Sequence, residues 1–153
     1  MFSEIKKISS LLLSVAFSSI GFIASITVTV LAAREVSSNP LFVGFPNAVG
    51  VGGAVLGTRM IYLISKTNSQ LNALAFTFLI GAFGGAIMFY SLIIDSFLVL
   101  LLGAFILGIG QSATLQTRYA ASFVAGTKFK ATALSLAVWF SVFGSVFGPR
   151  MVG

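Results

Sequence analysis

The 153-residue chain has no cysteine and no histidine, and its acids are only three: Glu4, Glu35 and Asp95. The first two absences remove thiolate and imidazole metal sites, thiol nucleophiles and histidine-based proton transfer. The third removes paired carboxylates, and no activated nucleophile with a neighbouring base is present, so no enzymatic chemistry, metal or cofactor is expected. Charge of either sign is scarce as well. Only 8% of residues are charged, against about a quarter in an ordinary soluble domain. So little charge could not coat a water-soluble particle.

What is present is apolar. The chain is 58% hydrophobic, its mean hydropathy is +1.08, and its apolar residues come in long runs. Lipid is the expected surroundings for most of its surface. The nine Lys and Arg give a net charge of +6, but they are scattered singly or in pairs without a dense basic stripe, so no nucleic-acid partner is expected.

The charged residues divide the chain into five nearly uncharged stretches: Ile8 to Ala33, Val36 to Thr58, Thr67 to Ile94, Ser96 to Thr117 and Ala131 to Pro149. Each approaches or exceeds the roughly 20 residues that a helix needs to cross hydrocarbon. Barrel strands would instead alternate in segments of about ten residues. These runs predict an all-α membrane protein, a single transmembrane domain over 1–153, with spans at 9–33, 41–58, 71–92, 97–117 and 132–149. The connections carry breakers, Ser37-Ser38-Asn39-Pro40, Lys66-Thr67-Asn68-Ser69 and Gly126-Thr127-Lys128, and are short enough to make neighbouring helices antiparallel.

An N-terminus on the inside places Lys6, Lys7, Arg59, Lys66, Arg118, Lys128 and Lys130 in the cytoplasm and leaves Arg34 and Arg150 outside, a strong positive-inside bias. Five spans then put the C-terminus outside, in what is expected to be the plasma (cytoplasmic) membrane. Lys6-Lys7 followed by an apolar run has the parts of a secretory signal. The run of about 26 residues is longer than a signal core of about 7 to 15, so a retained span is expected.

Gly103-Ala104-Phe105-Ile106-Leu107-Gly108-Ile109-Gly110, then Arg118-Tyr119-Ala120-Ala121 and the basic loop through Lys130, and finally Gly144-Ser145-Val146-Phe147-Gly148-Pro149 follow one another in the order of a known pattern. From Ile8 to Gly153 the chain resembles the N-terminal half of a major facilitator superfamily transporter, helices one to five. The resemblance implies a bundle of five transmembrane helices, a truncated version of a fold built from two six-helix halves with inverted three-helix repeats. In the fifth helix, Gly144 and Gly148 would admit another backbone closely, and Pro149 would free a carbonyl and permit bending. Two departures are plain. Ile61 stands where the family loop after the second helix has an Asp, and Ala104 stands where the fourth helix has an Arg associated with proton coupling.

At about 100° per residue, Gly103, Gly110, Gln111, Thr114, Thr117 and Arg118 share one face of the fourth helix, with Leu102, Phe105 and Ile109 on the other. The resemblance implies that this helix and the first line a central cavity, which makes Gln111 and Thr114 candidate substrate contacts. The alternative is ordinary interhelical hydrogen bonding, worth about 0.6 kcal/mol each. In the fifth helix Ala137, Ser141, Gly144, Ser145 and Gly148 form a small stripe facing away from Trp139, Phe140, Phe143 and Phe147, which are expected to meet lipid. Asn47, one residue after Pro46, either repairs a kink in the second helix or lines the cavity. Arg59 and Arg118 are expected to anchor cytoplasmic helix ends, or to serve the cytoplasmic loop implied by the resemblance. The scattered hydroxyls of the first helix, Ser14, Ser18, Ser19, Ser25, Thr27 and Thr29, can bond their own backbone.

The leading expectation is a fragment of a secondary active transporter for a small organic solute, working by alternating access and partnered by lipid and a missing C-terminal half. The glycine-proline motif tilts the direction towards export. The alternative is a stand-alone membrane interaction or scaffold protein, or one subunit of a split transporter, whose small-residue faces bind other helices.

Overall fold

A computed structural model describes residues 2–37, 39–124, 135, 138, 139 and 142. Among these residues the chain is all helical, with no strand: α1 (Phe2–Val36), a 3-10 turn (Pro40–Phe42), α2 (Phe45–Thr67), α3 (Gln70–Ile93) and α4 (Phe97–Val124). Three segments, Pro40–Thr67, Gln70–Ile93 and Phe97–Thr117, are long and apolar enough to cross a membrane. The expected fifth helix lies outside the described residues apart from Ser135, Val138, Trp139 and Val142, which are helical and exposed.

Local chemistry explains where the helices start and stop. Asn39 caps the 3-10 turn, its Oδ1 accepting from the Leu41 N–H at 3.0 Å, and Pro40 at the first position supplies a fixed φ. This turn occupies what the sequence suggested as the start of the second span, so α2 begins at Phe45 rather than near residue 41. Its end also differs. Nothing after Arg59 breaks a helix until Asn68-Ser69, and α2 runs on to Thr67, nine residues past the expected Thr58. Pro46 lies in the first turn of α2, where its missing N–H would have had no helical partner anyway. Asn47 therefore sits at the beginning of the helix, half-buried, with no mid-helix kink to repair.

Ser69 caps α3 by accepting from the Asn72 N–H at 3.4 Å. The other end closes in a Schellman turn: the Ser96 N–H donates to the Ser91 carbonyl at 3.1 Å, with Asp95 at φ 52° in the left-handed region. Phe97 at the start of α4 meets the Phe42 ring edge-on, centroids 6.0 Å apart.

The chain divides into two compact units. One joins Met1–Ser25 to Thr114–Gly153. It contains the first part of α1 and the end of α4, where Thr114 and Thr117 are buried. The other is Ile26–Ala113. Here the last turns of α1 bring Ala32 and Ala33 into a core with Met88, Leu100 and Ala104, and Val43, Leu92, Phe97 and Leu107 pack around it. Outward faces of the helices carry large apolar side chains, among them Val55, Leu79, Phe83, Phe89 and Leu98, as expected of surfaces solvated by hydrocarbon.

Candidate functional site

The organising feature of unit Ile26–Ala113 is α4, held against α2 on one side and α3 on the other by glycines. On α2 the buried positions Pro46, Gly50, Gly53, Gly57 and Ile61 recur at helical spacing. A methyl group added at Gly53 would run into the Phe105 carbonyl oxygen and lie 2.9 Å from its carbon. One added at Gly57 would lie 2.6 Å from the Ile109 oxygen, and one at Gly108 would strike the Gly50 carbonyl. The numbering rises together along both helices, so α2 and α4 run parallel, as alternate spans must.

Against α3 the numbering runs in opposite senses. A methyl on Gly81 would lie 2.7 Å from the Gly110 Cα, one on Gly84 would lie 2.8 Å from the Ile106 carbonyl carbon, and one on Gly103 would meet Met88, with Cγ at 2.7 Å and N at 2.8 Å. Between helices in lipid, close backbone approach is what supplies dispersion energy, because hydrocarbon does not drive apolar faces together.

The face assignment for α4 is therefore corrected in part. Gly103 and Gly110 both pack against α3, and Phe105 and Ile109, placed with Leu102 on the opposite face, present their backbones to α2. Leu102 is exposed. Of the glycines of α2 and α3, Gly57 alone stands out in the sequence, as the retained first glycine of the loop that the resemblance implies, although the spacing Gly50, Gly53, Gly57 was a readable packing signal.

Buried hydroxyls in this unit mostly bond their own helices: Thr77 donates to the Ala73 carbonyl at 2.7 Å, Ser91 to Met88 at 2.6 Å and Ser112 to Ile109 at 2.7 Å. Thr29 of α1 reaches the Met88 sulfur at 4.0 Å, and in the other unit the half-buried Ser25 donates to the Phe22 carbonyl at 2.7 Å. Such hydroxyls satisfy themselves without needing a ligand.

Of the sequence-predicted site residues, Gln111 is half-buried and Thr114 is buried. They belong to different compact units. Arg59 is exposed within α2. Arg118 follows the apolar segment Phe97–Thr117 directly, with α4 continuing to Val124. Gly144, Gly148 and Pro149 lie outside the described residues. A surface cavity of about 530 Å³ opens where Arg34, Ser37, Pro40 and Val43 meet. No cluster of metal-ligating side chains occurs among the described residues.

Long apolar helices with backbone-tight seams define a multi-span helical membrane protein. Comparison with known proteins narrows this. The chain is 31% identical over 140 residues to the uncharacterized MFS-type transporter YdeG of Bacillus subtilis (strain 168), covering 92% of this chain and 33% of that protein. It is 32% identical over 147 residues to the uncharacterized MFS-type transporter YddS of the same organism, covering 96% of this chain and 34% of that protein. Over nearly its whole length, then, the chain resembles transporters of the major facilitator superfamily, and it is an integral membrane protein. It spans about a third of the length of these curated relatives. No family model and no solved structure matches it.

Proposed function

We propose that the chain forms the N-terminal helices of a secondary active transporter for a small organic solute and works by alternating access. The observation that carries this reading is the similarity to two MFS-type transporters along more than nine-tenths of the chain. The glycine seams support it mechanically: helices locked backbone to backbone move as one body, as rocking of one half against another requires. Gln111 and Thr114 of α4, with Asn47 of α2, contribute to the cavity on the half-domain's inner side. Gly144, Gly148 and Pro149 let a fifth helix approach and bend at the junction between halves. Arg59 and Arg118 anchor the cytoplasmic side of a bundle with its N-terminus inside, and export is the direction of transport.

The reading is tested by co-expressing the chain with the part of YdeG that the alignment leaves uncovered, and assaying inverted vesicles for uptake of a panel of organic solutes. Co-purification of the two parts, and uptake of at least one solute only when both are present, are expected. Replacing Gly148 by Leu should abolish that uptake, whereas Phe143→Leu should leave it intact at matched abundance. Failure of the two parts to associate in membranes would overturn the proposal.

A further inference from the structure

The last turns of α2 carry a stripe that the glycine seams do not use and of which the transport reading uses Arg59 alone, as a cytoplasmic anchor. Val55, Arg59, Tyr62 and Lys66 follow at intervals of four, three and four residues, which places them on one helical face. Val55 is 67% and Tyr62 59% exposed, and Arg59 and Lys66 are exposed as well. Lys66 does not extend away from the helix end. Its ammonium folds back over the Tyr62 ring, 4.6 Å from the centroid, the direction in which helical side chains lean. This contact keeps the charge about one turn closer to Arg59 than the backbone spacing alone would. Neither cation has a carboxylate partner among the side chains that the structure describes, which include Asp95 and Glu35 but not Glu4. Asp95 follows the 24-residue α3, about 36 Å of helix away, and Glu35 ends α1 at the far end of α2.

We propose that Arg59, Tyr62 and Lys66 form a docking site for an anionic phospholipid headgroup in the leaflet at the α2–α3 end. Two cations on one exposed face of a helix long and apolar enough to cross a membrane, with no carboxylate partner among the described side chains, ask for a phosphate. Arg59 offers a planar fork of N–H donors to its oxygens, Lys66 a point charge, and the Tyr62 hydroxyl a further donor. Below them on the same face, Val55 provides the apolar surface along which an acyl chain lies. Complementary charge at the headgroup level with hydrocarbon one to two turns deeper is the layout of a phospholipid, and a soluble anion would leave the apolar part unused.

The test places the full chain in nanodiscs of phosphatidylcholine with a minority of phosphatidylglycerol, and measures the preference for spin-labelled phosphatidylglycerol over spin-labelled phosphatidylcholine at the protein surface. Arg59→Gln and Lys66→Gln should each lower the preference about fivefold, and the double variant further. Tyr62→Leu, which changes no charge, should lower it too, whereas Tyr62→Phe should keep most of it because the ring face remains. An equal drop in Arg34→Gln, at the other end of the helices, would assign the preference to overall charge and overturn the site. So would an unchanged preference in the single variants, or its complete loss to excess inorganic phosphate, which would mark a free-anion site.

Discussion

The two sides of α4 are packed by different means. Towards α2 the helix meets mostly backbone: Phe105, Gly108 and Ile109 stand against Gly50, Gly53 and Gly57, with the Ser112 hydroxyl also against Gly57. Towards α3 two contacts are backbone to backbone, Gly81 with Gly110 and Gly84 with Ile106 and Leu107, but a third closes on the side chain and backbone of Met88. A seam of carbonyls, Cα atoms and one hydroxyl bonded back to its own helix yields little without separating whole helices. A seam that includes an unbranched thioether can adjust part of its surface. The α2 side is thus the stiffer of the two, and α3 is the helix with room to shift against α4.

Substitutions can break or sharpen this contrast. The largest loss is expected for Gly108→Leu, which drives a branched side chain into the Gly50 carbonyl. Overpacking costs about 1–3 kcal/mol or more, and reversible unfolding in mixed micelles should register a loss at the top of that range or failure to fold. Gly81→Ala should come next, about 1–2 kcal/mol, since only the facing Gly110 Cα must retreat. Gly103→Ala in a Met88→Ala background should recover part of the loss seen for Gly103→Ala alone, because the Cγ clash is gone while the backbone contact at 2.8 Å stays. No recovery in that double variant would remove the argument that the α3 seam is adaptable. Outside both seams, Asp95→Gly should stabilise by about 0.5–1 kcal/mol, by relieving the left-handed backbone of the α3–α4 turn. Thermal denaturation of the pair Asp95→Gly and Asp95→Val should move in opposite directions.

Legibility in the sequence followed the same physics. The third helix was readable almost to the residue, 71–92 expected against Gln70–Ile93, because Ser69 caps one end and Asp95-Ser96 breaks the other. The second apolar segment, Pro40–Thr67, starts where the sequence puts the span, with a 3-10 turn ahead of α2, but runs past the expected end at 58. Arg59 reads as a boundary, yet a single arginine with a long stem can remain in a helix by reaching towards headgroups. Gly103 and Gly110 read as part of a small and polar face, either cavity-lining or hydrogen-bonded to a neighbouring helix, and Gly108 is assigned to no face. A helix buried on two sides gives no single polar or small stripe, so a two-face division hid the α2 seam. The candidate cavity residues were less legible. Hydroxyls such as Thr77 and Ser112 bond their own helices, and a back-bonded hydroxyl reads in sequence like one aimed at a substrate.

The claim that glycine packing sets the position of α4 is tested most directly by two adjacent residues of α2. Gly53 abuts the Phe105 backbone, whereas a methyl on Gly52 would find only the edge of the Phe105 ring, 3.9 Å away. Gly52→Ala should leave stability unchanged or raise it by about 0.5–1 kcal/mol through helix propensity. Gly53→Ala should lower it by about 2 kcal/mol or more. Equal shifts in the two variants, measured by reversible unfolding at matched lipid and detergent composition, would contradict the account.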